Sequence, residues 1–293
     1  MKPPHTSFLS SGAALRGWLP SAPAGAGLAQ AIEAAQAQDR CALAICLPVG
    51  YPDRMTGIDA LHLLAQSADA IVLGVPHLGG VLDGPVTQEA SRTALAGGFR
   101  MKHLFDAASE LSTTSSTVLL VTSHWQPLNE HGPAAFAAEA AAVGICGVIV
   151  PDLPAEEEGP WLEITSSVGL AVIPFISPHT RPDRLASIVA TATGMLYAPA
   201  TDGLTGNPEP ISPRLPGRIA QLRTLTSLPI ATGIGISTPA QARTAAASAD
   251  LVAVGSAVIR RMQANPQAQI AAAGAAGCEF AAVLRPDPQP GRP

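Results

Sequence analysis

The side chains best suited to proton transfer are His77, Asp83 and His124, each of which follows an apolar run of the sequence. Continuous apolar runs predict strands buried on both faces, so these residues fall in loops at strand ends. An imidazole with a pKa near ~6.5 exchanges protons at neutral pH, and a carboxylate can hold or accept one. The three residues therefore predict general acid–base catalysis. A structural role is the alternative for His77 and His124.

Other titratable residues are predicted to have plainer roles. Asp152 follows the fourth apolar run and is either a hydrogen-bond acceptor that fixes a loop or a catalyst. Glu89 is expected on an outer helix and Asp202 in a solvated turn. Structural or surface positions are predicted for the remaining histidines, which are His5, His62, His103, His131 and His179.

Three glycine-containing segments predict a phosphate site. They are the segment 201–206 with Gly203 and Gly206, the segment 233–237 with Gly235 and Ile236, and the pair Gly255–Ser256. Glycine lets backbone N–H groups approach an anion, and a helix N-terminus after the last strand attracts negative charge. The alternative is that these glycines only permit tight turns.

Eight apolar runs must position these loops, and helical patterns separate them. The runs are Ala42–Leu47, Ala70–Val75, Val118–Thr122, Gly147–Val150, Leu170–Phe175, Gly194–Ala198, Pro229–Thr232 and Leu251–Val254. Helices are predicted at Ile58–Gln66, Pro133–Val143 and Pro239–Ala247, with two more within Thr87–Leu111. Eight strand–helix repeats predict an α/β fold, a single (β/α)8 TIM barrel whose active site lies at the carboxyl ends of the strands. A doubly wound sheet is the rival.

Composition excludes several classes of protein. The 293 residues are 47% hydrophobic and 13% charged, which does not suit a disordered chain. The net charge of −5 argues against a nucleic-acid partner, and no apolar run is long enough to span a membrane. Lysine occurs only as Lys2 and Lys102, which leaves almost no candidate for Schiff-base catalysis.

The cysteines and the chain ends complete the domain prediction. The four cysteines show no metal-binding or CxxC spacing, so no metal site is predicted, and buried thiols in a reducing compartment are expected. Polar residues interrupt the apolar start of the chain, so a cytoplasmic protein without a signal peptide is predicted. We expect a flexible extension at residues 1–26, the barrel at 27–284 and a disordered tail at 285–293.

Seven motifs follow one another between about Arg40 and Met262. They are LPVGYPD at 47–53, LGVPHLGGVLDGPVTQEA at 73–90, HWQPLNEHG at 124–132, VPDLPAEE at 150–157, YAPATDGLTG at 197–206, GIGIS at 233–237 and VGSAVIRR at 254–261. In this order and spacing, over about three quarters of the chain, the sequence resembles the α subunit of tryptophan synthase.

The resemblance implies an activity and a set of residues. That family cleaves indole-3-glycerol phosphate to indole and glyceraldehyde 3-phosphate without a cofactor and passes indole to a β subunit that uses pyridoxal phosphate. Asp83 matches the carboxylate that holds the indole N–H, Thr205 the threonine that contacts it, and Tyr197 a pocket tyrosine. The phosphate-binding positions of the family correspond to Gly206, Gly235, Gly255 and Ser256.

The sequence also departs from the family pattern. Val72 stands where the family has its second catalytic carboxylate, a glutamate on strand 2. His77–Gly80 replaces an aromatic–Ser–Asp–Pro segment that also contacts the β subunit, and His124–Gln126 replaces Tyr-x-Asn. Cys46 takes the place of a frequent aromatic residue. The resemblance thus implies a diverged member with an altered partner loop.

Three hypotheses follow for the function. The chain is a diverged lyase in which His77 or His124 supplies the missing proton. Alternatively, it has a new reaction on a phosphate or diphosphate ester, carried by Asp83 and the histidines. In the third hypothesis it is a lapsed enzyme that binds an indolic or phosphorylated ligand or regulates a partner. For the new reaction, the replacement at Val72 makes the pocket more apolar, which favours a hydrophobic phosphorylated substrate.

Overall fold

The computed structural model describes residues 24–80, 82–201 and 210–285. In this part of the chain eight strands alternate with helices. The strands are β1 (Ala42–Pro48), β2 (Ala70–Gly74), β3 (Val118–Thr122), β4 (Ile145–Ile149), β5 (Ala171–Val172), β6 (Leu196–Pro199), β7 (Ile230–Gly233) and β8 (Leu251–Val254). The helices are α1 (Ala26–Gln36), α2 (Arg54–Ala65), α3 (Pro85–Ala96), α4 (Met101–Thr114), α5 (Trp125–His131), α6 (Pro133–Ala142), α7 (Glu158–Ser167), α8 (Pro182–Thr191), α9 (Leu215–Arg223), α10 (Pro239–Ala246), α11 (Ser256–Ala264) and α12 (Gln269–Val283).

The strands form one parallel sheet that closes on itself. Their order is β5-β4-β3-β2-β1-β8-β7-β6, and a parallel bridge between Phe175 and Tyr197 joins the two outer strands. The predicted (β/α)8 barrel is confirmed. Its closure brings all eight carboxyl ends to one rim, where the loops that carry His77, Asp83 and His124 meet.

Alternation along each strand divides the apolar residues into two layers. Ile71 and Leu73 of β2 pack outward against the helices, whereas Val72 faces the barrel interior with Leu120 of β3, its register partner. The interior layer also contains Leu28 and Ile32 of α1. Helix α1 therefore covers the amino ends of the strands and closes that end of the barrel.

β3 and β8 agree with the predictions at both ends, and β1 and β2 agree at their first residues. The other limits differ by one or two residues, except the end of β5. The fifth strand is shorter than predicted, with two residues in place of six. Pro174 lies within the predicted run and has no N–H to give to a ladder, although its carbonyl still accepts a hydrogen bond from the Tyr197 N–H, 3.0 Å away.

The ends of the chain need one adjustment. Helix α1 begins at Ala26, after Gly25 in the left-handed conformation, which is one residue before the predicted domain limit at residue 27. The remaining extension and tail predictions, at 1–23 and 286–293, lie outside the described residues, as does the segment 202–209. Among the described helices, none has the length and apolar character needed to cross a membrane.

Candidate active site

A cavity opens at the carboxyl ends of the strands, as the barrel predicts. Its deep walls are apolar and include Val72, Ile149 and Phe175. Polar groups lie on two sides: Asp83 and His124 come from the loops after β2 and β3, and the segments after β7 and β8 lie at the other side. The cavity thus has an apolar body with two chemically different ends.

His124 lies between two carboxylates that come from different loops. Its Nε2 atom is 3.6 Å from Oδ2 of Asp83, and its Nδ1 atom is 3.3 Å from Oδ2 of Asp152. Only 10% of the His124 side chain is exposed. We call Asp83, His124 and Asp152 the acid–base group. It joins both ring nitrogens of one imidazole to carboxylates.

Local backbone contacts explain how His124 is held. His124 ends the turn after β3 and is the residue immediately before α5. Oδ1 of Asp152 accepts a hydrogen bond from the Trp125 N–H, 2.9 Å away, which satisfies one of the free N–H groups at the start of that helix. The Ser123 hydroxyl donates to the His124 carbonyl at 2.8 Å. Asp152 therefore binds both the ring of His124 and the backbone beside it.

Asp83 is held by the loop between β2 and α3. The Asp83 N–H donates to the Gly80 carbonyl at 3.1 Å, and the Gln88 side-chain amide donates to the Asp83 carbonyl at 2.6 Å. Gly80 also lies directly against the acid–base group, because a Cβ atom built there would collide with Nε2 of His124 and lie 2.6 Å from Oδ2 of Asp83. Only a residue without a side chain fits between this loop and the pair.

The surroundings shift the two histidines in opposite directions. Hydrogen bonding to Asp83 raises the pKa of His124, and the charge of Asp152 adds to this against the opposing effect of burial. The pKa of His77 is lowered, chiefly by burial and then by the positive charge of His124, whose ring centre is 5.2 Å away. The surroundings therefore favour the protonated form of His124 and the neutral form of His77.

The predicted phosphate residues that the structure describes line the other side of the cavity. They are Gly235, Ile236, Gly255 and Ser256. Ser256 is the first residue of α11, so the N-terminal N–H groups of that helix face this side. Gly235 has φ +95° and lies against Thr201, where a Cβ atom would collide with the threonine side chain. The geometry fits an anion site.

Three predicted site residues, Gly203, Thr205 and Gly206, lie outside the described residues. The contact between Thr205 and Asp83 that the resemblance implies therefore stays a prediction. Thr201, the last described residue before this segment, is buried beside Gly235.

Tyr197 and Cys46 line the deep part of the cavity. The Tyr197 ring stacks on Phe175 with 5.9 Å between centres, and burial raises its pKa far above the ordinary value. Burial, with a contribution from Asp83, raises the pKa of the Cys46 thiol to about 12. Both groups are neutral at physiological pH, so they are walls of the pocket and not proton carriers.

Val72 occupies the strand-2 position in this same cavity, with 4% of its surface exposed. Glu89, predicted on an outer helix, is on the outer face of α3 and pairs with Arg92. The described histidines outside the cavity include His62 and His131, which pair with glutamates on the helical surface. Of the described histidines, His124 lines the cavity, and His77 packs beside it with 5.2 Å between the ring centres.

Sequence reasoning missed two contributions. The position of Asp152 at a strand end was a signal, but its contact with His124 depends on how two loops meet. Gly80 was part of an altered loop with no sign that it touches the catalytic pair. Across the described residues no three potential metal ligands converge to form a metal site.

Comparison with known proteins identifies the family of this chain. A family model described as tryptophan synthase alpha chain matches residues 32–282. The tryptophan synthase alpha chain of Streptomyces coelicolor is 36% identical over 257 residues, which cover 87% of this chain and 93% of that protein. That of Thermosynechococcus vestitus is 35% identical over 260 residues, with 88% and 96% covered.

Solved structures give the same result. A chain of the Mycobacterium tuberculosis tryptophan synthase superposes with a TM-score of 0.82 at 32% identity, covering 89% of this chain and 98% of that one. For the tryptophan synthase alpha chain of Legionella pneumophila, the TM-score is 0.78 at 27% identity, with 88% and 97% covered. By sequence and by fold, the chain belongs to the tryptophan synthase alpha chain family.

Proposed function

We propose that the chain is a lyase that cleaves indole-3-glycerol phosphate, or a close indolic relative, with His124 in the role that a strand-2 carboxylate would have. The observation that carries this proposal is the position of His124 between Asp83 and Asp152 at the mouth of the family cavity. A valine at position 72 cannot transfer a proton, and a protonated imidazole in the same cavity can.

The reaction makes defined demands on these groups. The ring carbon that carries the side chain gains a proton, and the hydroxyl group on the first side-chain carbon loses one. The bond between these two carbons breaks to give indole and an aldehyde. Protonated His124 donates to the ring carbon, and the resulting neutral imidazole accepts the hydroxyl proton, so the enzyme returns to its starting state. Asp83 accepts a hydrogen bond from the indole N–H and stabilises the positive charge that develops on this nitrogen when the ring carbon is protonated.

The topology supports one orientation of the substrate. In the closed eight-stranded sheet, β3 and β7 lie four strands apart, on opposite sides of the mouth. A phosphate held by backbone N–H groups after β7 and at the start of α11 would place the rest of the molecule across the cavity toward His124. The apolar wall formed by Val72, Ile149 and Phe175 suits an aromatic body between these ends.

The direct test is incubation of the purified protein with indole-3-glycerol phosphate and measurement of released indole. We expect turnover that His124→Asn and Asp83→Asn each abolish. Glu139→Gln removes the partner of a surface histidine, His131, and is the matched control that keeps full activity. Absence of indole, with and without a β subunit, would overturn the proposal.

A second candidate is supported by Val72. Its apolar side chain makes the deep cavity suited to a hydrophobic phosphate or diphosphate ester other than the indolic one, cleaved by the same Asp83 and His124. Mass spectrometry of small molecules that copurify with the protein tests this without presuming a substrate. A protein that binds the copurifying ligand without turning it over, and whose binding is unaffected by Asp83→Asn, would instead fit a lapsed binding or regulatory role.

The partner proposal follows from family membership. We propose binding to a β subunit that uses pyridoxal phosphate, through a surface in which His77–Gly80 replaces the usual contact segment. Leu78 of this segment is 52% exposed and available for such a contact. Size-exclusion chromatography with a β subunit measures binding, and Leu78→Asp is expected to weaken it.

A further inference from the structure

We propose that Asp152 is a positioning residue that selects the tautomer of His124 and directs its Nε2 atom at the reacting group. Asp152 touches neither the predicted phosphate end nor the ring-binding position of Asp83. Its carboxylate contacts the far side of the imidazole, at Nδ1. The proposal rests on the proposed function for its kinetic consequence alone.

The carboxylate of Asp152 makes two contacts in two directions, an ion-pair contact to the His124 ring and a hydrogen bond to the backbone. Oδ2 faces Nδ1 of His124 at 3.3 Å, and Oδ1 accepts the Trp125 N–H at 2.9 Å. Because Trp125 directly follows His124, the same side chain holds the ring and the peptide that carries it. The His124 side chain then has little freedom to turn away from the cavity.

Asp152 lies closer to Nδ1 (3.3 Å) than Asp83 lies to Nε2 (3.6 Å), so the neutral ring is expected to carry its proton on Nδ1. Asp152 accepts a hydrogen bond from Nδ1–H, so Nε2 is left with its lone pair toward the cavity and can take a proton back from the substrate. In the charged state the same carboxylate stabilises the imidazolium, in keeping with the raised pKa of His124. Asp152 thus serves both halves of the proton cycle.

The charged and titratable groups that face His124 come from two loops. Asp83 and His77 lie on the loop after β2, and Asp152 lies after β4. His77 opposes the positive charge of His124, and the two carboxylates favour it. Without Asp152, Asp83 alone would stabilise the positive charge of His124 against the opposing effect of His77.

The variant Asp152→Asn separates the two contacts of the side chain. The asparagine carbonyl still accepts the Trp125 N–H, so the start of α5 keeps its partner. The amide N–H₂ group then faces Nδ1 and favours the Nε2–H tautomer, with no charge to stabilise the imidazolium. A purely structural role predicts little change in His124, whereas the positioning role predicts a new tautomer and a lower pKa.

The experiment is nitrogen-detected NMR titration of the imidazoles in full-length protein labelled with ¹⁵N-histidine, with the His124 signal assigned by its loss in His124→Asn. In the wild-type protein we expect a midpoint above that of a free histidine and an Nδ1–H tautomer. Asp152→Asn should lower the midpoint and move the proton to Nε2, Asp152→Glu should restore most of both, and Glu139→Gln should change neither. A His124 signal in Asp152→Asn that matches wild type would overturn the proposal.

Kinetics provide the second measurement. Asp152→Asn should lower kcat by roughly 10- to 100-fold with little change in KM, as part of the ~10²–10⁴-fold that general acid–base catalysis supplies. The alkaline limb of its pH profile should move to lower pH. An NMR change without any indole turnover would reject the proposed function and leave the role of Asp152 standing. Indole turnover together with an unchanged His124 signal in Asp152→Asn would reject the positioning role of Asp152 and leave the proposed function standing.

Discussion

Oδ2 of Asp83 and Nε2 of His124 lie 3.6 Å apart, although the two residues belong to loops that follow different strands. β2 and β3 are parallel neighbours in the sheet, so the loops that follow them lie side by side at the cavity. Gly80, on the loop after β2, lies directly against the side chains of Asp83 and His124. The distance between the two functional groups therefore depends on a residue that has no side chain.

Gly80→Ala is expected to lower kcat by roughly tenfold or more, because its methyl group would displace the imidazole from the carboxylate and disturb general acid–base catalysis. Indole release and the His124 titration midpoint are the measurements. Gly217→Ala is the matched control, since a Cβ atom there meets nothing within 4 Å. Equal activity of the two alanine variants would show that the close approach of Gly80 is not needed.

Val72→Glu is expected to restore part of the activity lost in His124→Asn, because it returns a proton-carrying group to the same cavity. Burial should raise the pKa of the new carboxyl group, which keeps a proton available for the ring carbon. Val72→Gln has nearly the same shape without the acid and should restore nothing. The comparison is made by indole release, and equal rescue by both substitutions would argue against proton transfer from position 72.

The stability of the folded protein should depend on pH through His124. Its pKa is raised on folding, so its contribution is fully present below the ordinary value of about 6.5 and is lost as the pH rises through the folded-state value. His124→Asn should therefore lower Tm most between about pH 5 and 6, where the free energy of unfolding should fall by roughly 1–3 kcal/mol. Thermal unfolding across the pH range measures the difference. A gap that widens toward alkaline pH would contradict the sign of the shift.

Gly235→Ala is expected to weaken phosphate binding. Its positive φ and the adjacent Thr201 side chain leave no room for a methyl group, so the backbone that faces the anion must move. Loss of one hydrogen bond to a charged group costs about 1.5–3 kcal/mol, or roughly tenfold or more in affinity. Calorimetric titration with glycerol 3-phosphate tests this, with Gly217→Ala again as control. Unchanged affinity would place the phosphate elsewhere.

The sequence predicted the barrel because each strand carries its own local pattern. β3 and β8 are apolar runs with clear ends, and their limits follow directly. β5 was too long in the prediction because apolar content does not show that Pro174 cannot donate to a ladder. Periodicity thus determines which segments are strands, and hydrogen-bonding capacity determines where they end.

The site was predictable only in part, for a related reason. His124 and Asp83 were identified from residue type and position at strand ends. Their link through Asp152 required the relative orientation of two loops, which no spacing along the chain encodes. The absence of room for a side chain at position 80 likewise depends on contacts between segments.

Helix α1 gives the barrel a closed floor, and this affects the order of events during turnover. With Leu28 and Ile32 packed into the interior, molecules enter and leave the cavity across the rim that carries the loops. The aromatic part of a substrate must go in ahead of its phosphate-bearing part if it is to reach the apolar depth. After cleavage the small phosphorylated fragment lies nearer the opening, so we expect it to depart first and the ring to follow.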